Sequence, residues 1–538
     1  MPDAGDANVK TVSEQLDALF APWNRTDEPG LAVGVAKDGE VVYRRGFGMA
    51  SLETAVAITP KTRMRIGSTS KHFTCLLALL LAEEGKLDLD QPVRTYIPEL
   101  TGPGGEPTLR QLMQHRGGSR CYLDLGFIGH GMNAPPLGRA LAMQVRQQGR
   151  NFAPGSAMIY NNGGYHLTSI AIERVGGAPF EAQLKARLFD VVGMPDTVSL
   201  PTDHAITPGV ATMHTPSRDG WRRGLFPSDE VRGEGAIVST VDDMLRWTAH
   251  LRARNRFGST ATWAAMTERP RYDDGSLGSY ALGLMVGDYR GRPIVHHSGG
   301  VIGGTAQMLT FPDDGVDVMI LANGARAADV VRLAQQAADI VLAGRLGPET
   351  PTVPAEAHKP LVGDYWSPES RMIYSLMDDG GVLKLGMAKS AVGVPLVSGA
   401  DGALVCPAGG IGEVAVKPDG ERLQIRFGAE TLAYERLSPL DGDADAFAAA
   451  AAGRYVSDDA DTVATIAPDG ERLVLTLSDG FGKTAAPLTA LSPSVAYSRP
   501  PGAMSVFRTT ISLDVEGGHA TGFRLNTPRT RNLVFTRT

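Results

Sequence analysis

Cysteine is scarce in this sequence, with only Cys75, Cys121 and Cys406 among 538 residues. The number is odd and no Cys-x-x-Cys pair occurs, so we expect free thiols in a reducing compartment rather than a disulfide framework. An excess of positive charge is also missing, since the formal net charge is -7. We therefore expect no nucleic-acid partner.

Long apolar runs are missing as well. None approaches the roughly 20 residues that a membrane-spanning helix needs, so we expect no membrane association. The first ten residues, MPDAGDANVK, have neither the basic region nor the apolar run of a leader peptide. Together these absences predict a cytoplasmic location. The 43% of hydrophobic and 21% of charged residues are typical of a soluble globular protein, and the length predicts two to four domains.

The most informative stretch is residues 65–87, RIGSTSKHFTCLLALLLAEEGKL. It predicts a helix with Ser68 or Thr69 at its cap and Gly85 at its end. From Cys75 to Ala82 the helix is apolar on every side, which predicts burial. Ser68 and Lys71 are three residues apart and share a face at the start of the helix, where free N–H groups favour an oxyanion. We interpret Ser68 as a nucleophile and Lys71 as its base.

A lone Ser-x-x-Lys pattern is weak, because it arises by chance about once in a chain of this length and a polar helix start is ordinary capping. Two further elements follow it in order. Residues 160–162, Tyr-Asn-Asn, open a helix after a loop, and residues 297–299, His-Ser-Gly, lie at a strand end. Three weak patterns in this order and context favour a catalytic site.

The local sequence pattern divides the chain into three predicted domains and a linker. Residues 1–347 have strands at both ends, including a hairpin that turns at Asp38-Gly39, and helices between them. This predicts an α/β (α+β) domain with an antiparallel sheet. Residues 348–360 read as a linker. Residues 361–440 and 446–538 are similar to one another in sequence. This internal repeat predicts two all-β antiparallel barrels, separated by an acidic, Ala-rich stretch.

These motifs resemble the serine β-lactamase and penicillin-binding-protein superfamily, whose signature is Ser-x-x-Lys, then Tyr-x-Asn, then Lys-Thr-Gly or His-x-Gly. The tyrosine form and the segment GAIVSTVDDMLRW are similar to the class C branch. Within that branch the chain resembles D-aminopeptidases of the D-alanyl aminopeptidase type. That resemblance implies a β-lactamase-like catalytic domain followed by two barrels, the last of which sends a loop into the active site.

The sequence GFGK matches that loop and places it at about residues 479–486. The family carries an aspartate just after the Gly-Lys pair, which is thought to receive the free amine of the substrate. Here Thr484, Ala485 and Ala486 follow, so the carboxylate is missing. The missing carboxylate argues against a strict aminopeptidase specificity, while the groups needed for hydrolysis are all present.

The chemistry of these groups predicts hydrolysis through an acyl-enzyme, in which a buried Lys71 with a lowered pKa activates Ser68. Neither a metal nor another cofactor is expected, since the adjacent His296 and His297 would point apart on a strand. The expected catalytic residues are Ser68, Lys71, Tyr160 and His297. The expected substrate and oxyanion contacts are Asn162, Gly299, Gly300, Gly480, Phe481, Gly482 and Lys483.

The expected activity is release of N-terminal D-amino acids from small peptides, amides or esters. His297 stands where related enzymes use a lysine to hold a substrate carboxylate, and a mostly neutral histidine weakens that hold. This disfavours β-lactamase and carboxypeptidase activity. A broad carboxylesterase with the same groups is the alternative, and a non-catalytic binding or scaffold protein is a third interpretation. A homodimer would suit the family.

Overall fold

The computed structural model describes residues 11–272, 274–324, 328–387, 393–406, 414–437, 444–500 and 508–538. The first unit is built from helices and strands. Its strands are β1 (Leu31–Lys37), β2 (Glu40–Phe47), β3 (Met49–Ser51), β4 (Val56–Ala57), β5 (Met64–Arg65), β6 (Val198–Ser199), β7 (His214–Ser217), β8 (Gly220–Arg223), β9 (Ile237–Ser239), β10 (Met285–Tyr289), β11 (Arg292–Val301), β12 (Gly304–Phe311) and β13 (Val316–Ala322).

Helices surround these strands. They are α1 (Val12–Phe20), α2 (Lys71–Glu83), α3 (Leu109–Met113), α4 (Tyr122–Gly129), α5 (Arg139–Arg146), α6 (Asn162–Gly176), α7 (Phe180–Leu184), α8 (Asp190–Val192), α9 (Val241–Ala253), α10 (Thr260–Thr267) and α11 (Val330–Val341).

The main sheet of this unit is antiparallel, with the order β10-β11-β12-β13-β1-β2. β1 pairs with β13, for example Val33 with Ile320, so the sheet joins segments from both ends of the first unit. The hairpin between β1 and β2 turns at Asp38 and Gly39, whose φ values are +53° and +85°. Two successive positive φ values are what a two-residue hairpin turn requires, and the predicted hairpin is confirmed.

Helix α2 is the buried core of the first unit, as its all-apolar surface predicts. Every residue from Lys71 to Leu81 is buried. The predicted start was wrong, because Gly67–Ser70 form a 3-10 turn and the α-helix begins at Lys71, with no side-chain cap. The Ser68 hydroxyl bonds to the Lys71 amine instead of capping the backbone. Gly85, with φ of +68°, lies just beyond the end of the helix, as expected.

The second unit is an antiparallel sheet that nearly closes on itself. It contains β14 (Gly363–Trp366), β15 (Ile373–Asp379), β16 (Val382–Met387), β17 (Val394–Pro395), β18 (Val397–Ser398), β19 (Leu404–Val405), β20 (Val414–Asp419), β21 (Arg422–Phe427) and β22 (Glu430–Arg436). Its order is β17-β16-β15-β14-β22-β21-β20-β19-β18. Residues 348–360, predicted as a linker, pack against it: Val353 and Ala355 are buried in its core. The predicted end of this unit, at residues 438–440, lies outside the described residues.

The third unit is a closed antiparallel barrel preceded by a short helix. Its elements are α12 (Ala444–Ala451), β23 (Gly453–Ser457), β24 (Thr462–Asp469), β25 (Arg472–Ser478), β26 (Lys483–Ala490), β27 (Val495–Ser498), β28 (Thr509–Glu516), β29 (His519–Thr527) and β30 (Thr530–Arg537). The Ala-rich stretch predicted as a separator supplies α12, and its Phe447 and Ala451 are fully buried in the barrel core. Both β units therefore match the predicted barrel-like architecture.

The internal sequence repeat corresponds to a contact that occurs in both the second and the third unit. Tyr365 donates a hydrogen bond to the Leu361 carbonyl at 2.9 Å, and Tyr455 donates one to the Ala451 carbonyl at 2.6 Å. In each unit an arginine of the last strand lies over that tyrosine ring, at 5.8 Å in the second unit and 5.7 Å in the third. The two β units thus share a way of holding their first strand against their last.

The burial of Phe447 gives a test of how α12 contributes to the barrel. Phe447→Ala should lower the free energy of unfolding by about 3–5 kcal/mol, because it removes a fully buried ring and leaves a cavity. Phe481→Ala in the same unit, whose side chain is 38% exposed, should cost only about 1 kcal/mol or less. Chemical denaturation followed by circular dichroism measures both. Equal losses would contradict a core role for α12.

Candidate active site

Ser68 and Lys71 meet at the start of α2. The Nζ atom of Lys71 lies 3.0 Å from Ser68 Oγ, 2.8 Å from Asn162 Oδ1 and 2.6 Å from the carbonyl oxygen of Glu234. Lys71 is fully buried, whereas Ser68 is only partly buried and borders a cavity. The sequence-predicted pair is therefore in contact, and Asn162 joins it from the first turn of α6.

The three partners of Lys71 can bind its amine in either charge state. The ammonium form donates to all three, including Ser68 Oγ. In the neutral form the amide oxygen and the backbone carbonyl oxygen, which can only accept, take the two hydrogens, and the lone pair is left for the Ser68 hydroxyl. Burial lowers the pKa of Lys71 to about 7, with a smaller opposing effect from Glu234. At neutral pH a large share of Lys71 can therefore accept the Ser68 proton.

Tyr160 packs directly beside this pair. The Nζ atom of Lys71 lies 4.8 Å from the centre of its ring. Its hydroxyl is buried and has no hydrogen-bond partner among the residues that the structure describes. Burial raises the pKa of the phenol above its ordinary value, and the Ser68 hydroxyl opposes that shift. The phenol is therefore protonated at neutral pH, next to the cavity and close to the Ser68 hydroxyl.

His297 lies inside β11 rather than at its end, since the strand continues to Val301. Its Nδ1–H donates to the Ser298 carbonyl at 2.5 Å, and its Nε2 accepts from the Tyr280 hydroxyl at 2.8 Å. This pairing uses both ring nitrogens of a neutral imidazole. Burial, followed by the nearby Lys71, lowers the pKa of His297 well below its ordinary value. His297 thus faces the site without charge.

His115 is a further buried group that the motif analysis did not identify. Its ring centre lies 4.1 Å from that of Tyr160 and 4.4 Å from that of Tyr280. The backbone N–H of Asn161 donates to His115 Nδ1 at 3.0 Å. Its φ is +59°, a conformation that non-glycine residues rarely adopt and that is often found at functional sites. His115 therefore packs against the ring of Tyr160 and restricts its position.

Gly299 and Gly300 bring β11 against the nucleophile turn. A Cβ atom on Gly299 would lie 1.9 Å from the Ile66 carbonyl oxygen, so only glycine fits there. A Cβ atom on Gly300 would meet nothing within 4 Å, because Gly300 borders the cavity. Thr69 donates to the His297 carbonyl at 3.2 Å and holds the turn against the strand. The backbone of Gly300 thus lies beside Ser68 at the open side of the site.

The cavity in front of Ser68 has a volume of about 1720 Å³ and is lined by all three units. The second unit contributes Tyr374 and Phe427, and the third contributes Pro528, Arg529 and Arg531. Many of the lining side chains of the first unit are apolar: Leu123, Phe127, Met132, Met158, Leu225, Phe226, Val231 and Met285.

The third unit reaches this cavity through the turn between β29 and β30. Arg529 in that turn donates through Nε to Asp124 Oδ1 at 2.8 Å, and its NH2 lies 2.6 Å from the same oxygen. The side chain of Asp124 is fully buried. Arg531 pairs at 2.7 Å with Glu430 of the second unit. The turn therefore ties the three units together at the wall of the cavity.

Residues 480–483, predicted to enter the site, lie elsewhere. In the described part of the chain none of them lines the cavity. Asn133 Nδ2 donates to the Phe481 carbonyl at 3.0 Å, and His130 Nδ1 lies 2.9 Å from Asp479 Oδ2. This loop supports residues 130–133 from behind, and Asn133 of that segment borders the cavity. The β29–β30 turn takes the position that the resemblance assigned to the loop.

Comparisons with known proteins agree with this geometry. A family model described as beta-lactamase matches residues 10–342. The chain belongs to the β-lactamase family. It is 29% identical over 544 residues to a D-aminopeptidase of Cereibacter sphaeroides, covering 98% of this chain and 99% of the relative. A D-aminopeptidase of Brucella canis is 26% identical over 480 residues, 87% of each chain.

A solved structure extends the likeness beyond the first unit. The octameric penicillin-binding protein homologue from Pyrococcus abyssi superposes with a TM-score of 0.57 at 22% identity, covering 78% of this chain and 99% of that chain. At this identity the likeness shows the fold alone. The resemblance predicted from the motifs is confirmed for the superfamily.

The described residues contain no helix long and apolar enough to cross a membrane. Within the same residues, no group of three or more His, Cys, Asp or Glu side chains is arranged to hold a metal ion.

The lowered pKa of Lys71 predicts the pH dependence of this β-lactamase-family chain. Below pH 7 the ammonium form cannot accept a proton, so kcat/KM should rise through an apparent pKa near 7 and level off above it. Lys71→Ala should lower kcat/KM at least about 100-fold. Lys86→Ala, at an exposed position beyond the far end of α2, is the matched control. Steady-state rates between pH 5 and 9 test this, and a flat profile would contradict a basic role for Lys71.

The buried Arg529–Asp124 pair predicts a stability effect that spans two units. Arg529→Gln leaves the Asp124 carboxylate buried without its cation and should cost about 3 kcal/mol or more. The double variant with Asp124→Asn should regain most of that loss. Arg174→Gln, which breaks an exposed pair with Glu99, should cost less than about 1 kcal/mol. Unfolding free energies from urea titration measure all three, and a cost for Arg529→Gln as small as that for Arg174→Gln would argue against the buried pair.

Proposed function

We propose that this chain is a D-stereospecific serine hydrolase that releases N-terminal D-amino acids from short peptides, amides or esters. The observation that carries the proposal is the contact between Ser68 Oγ and a lysine amine whose other partners only accept hydrogen bonds. A serine hydroxyl needs such a base to act as a nucleophile near neutral pH. The curated relatives named D-aminopeptidase support the substrate class.

The first half of the reaction forms an acyl-enzyme. Lys71 takes the Ser68 proton as Oγ attacks the substrate carbonyl carbon. The negative charge that develops on the carbonyl oxygen is stabilised by the backbone N–H groups of Ser68 and Gly300. The Tyr160 hydroxyl, which lies close to the Ser68 hydroxyl, donates a proton to the leaving amine or alkoxide and is reprotonated from Lys71. The leaving group then departs and the acyl group stays on Ser68.

The second half uses the same groups on water. Lys71 and Tyr160 are again placed to accept a proton, now from the water that attacks the ester carbonyl. The collapse of the second oxyanion breaks the bond to Ser68 Oγ, which regains its proton from Lys71. Asn162 keeps the lysine amine in place throughout, since its amide oxygen lies 2.8 Å from Nζ.

The uncharged His297 bears on which substrates fit. Both of its ring nitrogens are used by Ser298 and Tyr280, so it offers no positive charge at the strand. Enzymes that act on β-lactams or on a C-terminal residue hold a carboxylate there with a lysine. We therefore place amides, short peptides and esters ahead of β-lactams as substrates.

A broad carboxylesterase is the second candidate function, and the cavity favours it. Its volume of about 1720 Å³ and its many apolar lining residues would admit acyl groups much larger than one small amino acid. The same Ser68, Lys71 and Tyr160 would serve it. The non-catalytic interpretation loses support from the contact of Ser68 with Lys71. The homodimer and the cytoplasmic location stay predictions.

A substrate panel tests the proposal. We expect D-alanine p-nitroanilide to be hydrolysed at least about tenfold faster than its L enantiomer in kcat/KM, and p-nitrophenyl butyrate and nitrocefin to be poorer substrates. Ser68→Ala should abolish turnover of each without lowering the melting temperature by more than a few degrees. A fluorophosphonate probe should label Ser68 in the wild-type chain alone. Preference for the L enantiomer or for nitrocefin would overturn the proposal, and preference for the butyrate would favour the esterase.

A further inference from the structure

We infer that one end of the second unit binds the residue that follows the scissile bond of the substrate, and that it selects an apolar or aromatic side chain there. This inference rests on the proposed function and adds a specificity subsite to it. The mouths of β-barrels are common places for small-molecule sites. We call this end the barrel mouth, and its residues all line the cavity: Met372, Tyr374, Met387, Val414, Phe427 and Gly428.

The barrel mouth is the end of the inward-facing rows of the second unit. Tyr374 of β15 pairs with Met387 of β16, and Val414 of β20 pairs with Phe427 of β21. Residues two apart on a strand share a face. Two residues deeper along the same strands, the paired side chains belong to the buried core: Leu376 with Leu385, and Val416 with Ile425. The four mouth residues are only partly buried and pack on that core. The core of the second unit therefore opens into the cavity here.

The barrel mouth offers apolar contact without charge. The ring centres of Tyr374 and Phe427 lie 5.1 Å apart, although β15 and β21 are not neighbours in the sheet, so the two rings form one aromatic surface. Burial raises the pKa of the Tyr374 phenol above its ordinary value, which keeps the ring neutral. No described residue of the mouth carries a charged side chain. Such a surface favours apolar and aromatic side chains and disfavours charged ones.

The second unit contacts the first unit near the group that protonates the leaving group. A Cβ atom on Gly428 would lie 2.7 Å from the hydroxyl oxygen of Tyr272, so the mouth packs closely on that tyrosine. Tyr272 and Tyr280 both line the cavity. The ring centre of Tyr280 lies 6.0 Å from that of Tyr160. Because the Tyr160 hydroxyl donates to the leaving amine in the proposed mechanism, the leaving residue lies on the side of the cavity that borders the mouth.

Two cations beside the mouth already have carboxylate partners. Arg531 pairs at 2.7 Å with Glu430, which lies two residues after Gly428 in the second unit. Arg529 pairs with Asp124. These two guanidinium groups are therefore not available to a carboxylate of the leaving residue, since breaking a buried pair is costly. Selection at the mouth then depends on the side chain of the leaving residue.

The test compares D-alanyl-L-phenylalaninamide with D-alanylglycinamide, which share the acyl residue and the type of scissile bond. The wild-type chain should hydrolyse the phenylalanine substrate about tenfold or more faster in kcat/KM, as expected when much of an aromatic side chain leaves water. Tyr374→Ala and Phe427→Ala should each reduce that ratio to about threefold or less and leave the glycine substrate within about threefold of wild type.

Two control variants separate the aromatic surface from other effects. Tyr374→Phe removes the hydroxyl and keeps the ring, so the ratio should not change. Trp366→Ala removes a partly buried ring of the same unit that is not among the described residues lining the cavity. It should also leave the ratio unchanged, even where it lowers the melting temperature.

The wild-type chain gives a further measurement, which holds even where the alanine variants do not fold. D-alanyl-L-lysinamide and D-alanyl-L-glutamic acid α-amide carry leaving residues that are large and charged. Both should be hydrolysed about tenfold or more slowly than the phenylalanine substrate in kcat/KM, because a charged group loses its hydration at an apolar surface. Phe427→Leu, a milder change in the same place, should retain part of the preference for phenylalanine.

Four outcomes would overturn the inference. Similar rates for the phenylalanine and glycine substrates in the wild-type chain would remove the subsite while the serine hydrolase stands. An unchanged ratio in both alanine variants would place the selecting surface elsewhere. Charged leaving residues that react as fast as phenylalanine would mean that size and not apolarity is selected. If no D-alanyl substrate is turned over and a fluorophosphonate does not label Ser68, the proposed function itself fails and the subsite with it.

Discussion

The whole site depends on one buried lysine nitrogen that can lose its charge near neutral pH. Lys71 lies in the first turn of a helix that is buried along its length, where an ammonium is unfavourable. The side-chain oxygen of Asn162 and the backbone oxygen of Glu234 take its hydrogens, so its lone pair is directed at Ser68. Other features, from the glycines of β11 to the stacked rings around Tyr160, hold the substrate-facing groups around that nitrogen.

The fold brings these groups together from separate elements. The nucleophile turn precedes α2, Tyr160 and Asn162 stand at the start of α6, and His297 to Gly300 lie on β11. Each element is anchored in the buried core, so small differences in distance are set by packing rather than by flexible side chains. Tyr160 in particular is enclosed by His115 and Tyr280. Rigid support of this kind keeps the phenol hydroxyl in position beside Ser68.

Residues that follow short local patterns could be located from the sequence. Ser68, Lys71, Tyr160 and Asn162 follow short patterns, and the structure brings them together. The start of α2 was misplaced because a serine near a helix start has the same pattern whether it caps the helix or faces a cavity. Arg529 could not be found, since its partner Asp124 is far away in the chain and no pattern joins them.

The match of GFGK to the family loop was misleading for a related reason. The same four residues are present, yet they pack against residues 130–133, and the neighbouring hairpin turn borders the cavity instead. A sequence match shows which residues form a turn, but it does not show which part of the fold the turn contacts.

The β29–β30 turn makes the pocket dependent on parts of the chain that are synthesised long after the nucleophile. A ribosome-bound chain that has folded only its first unit already carries Ser68 and Lys71, but one wall of its substrate pocket is still missing. The wall of the substrate pocket is complete only once Arg529 binds Asp124. The hydrolase would thus acquire its discrimination last, and a chain cut between its second and third units would be left with a reactive serine in an open groove.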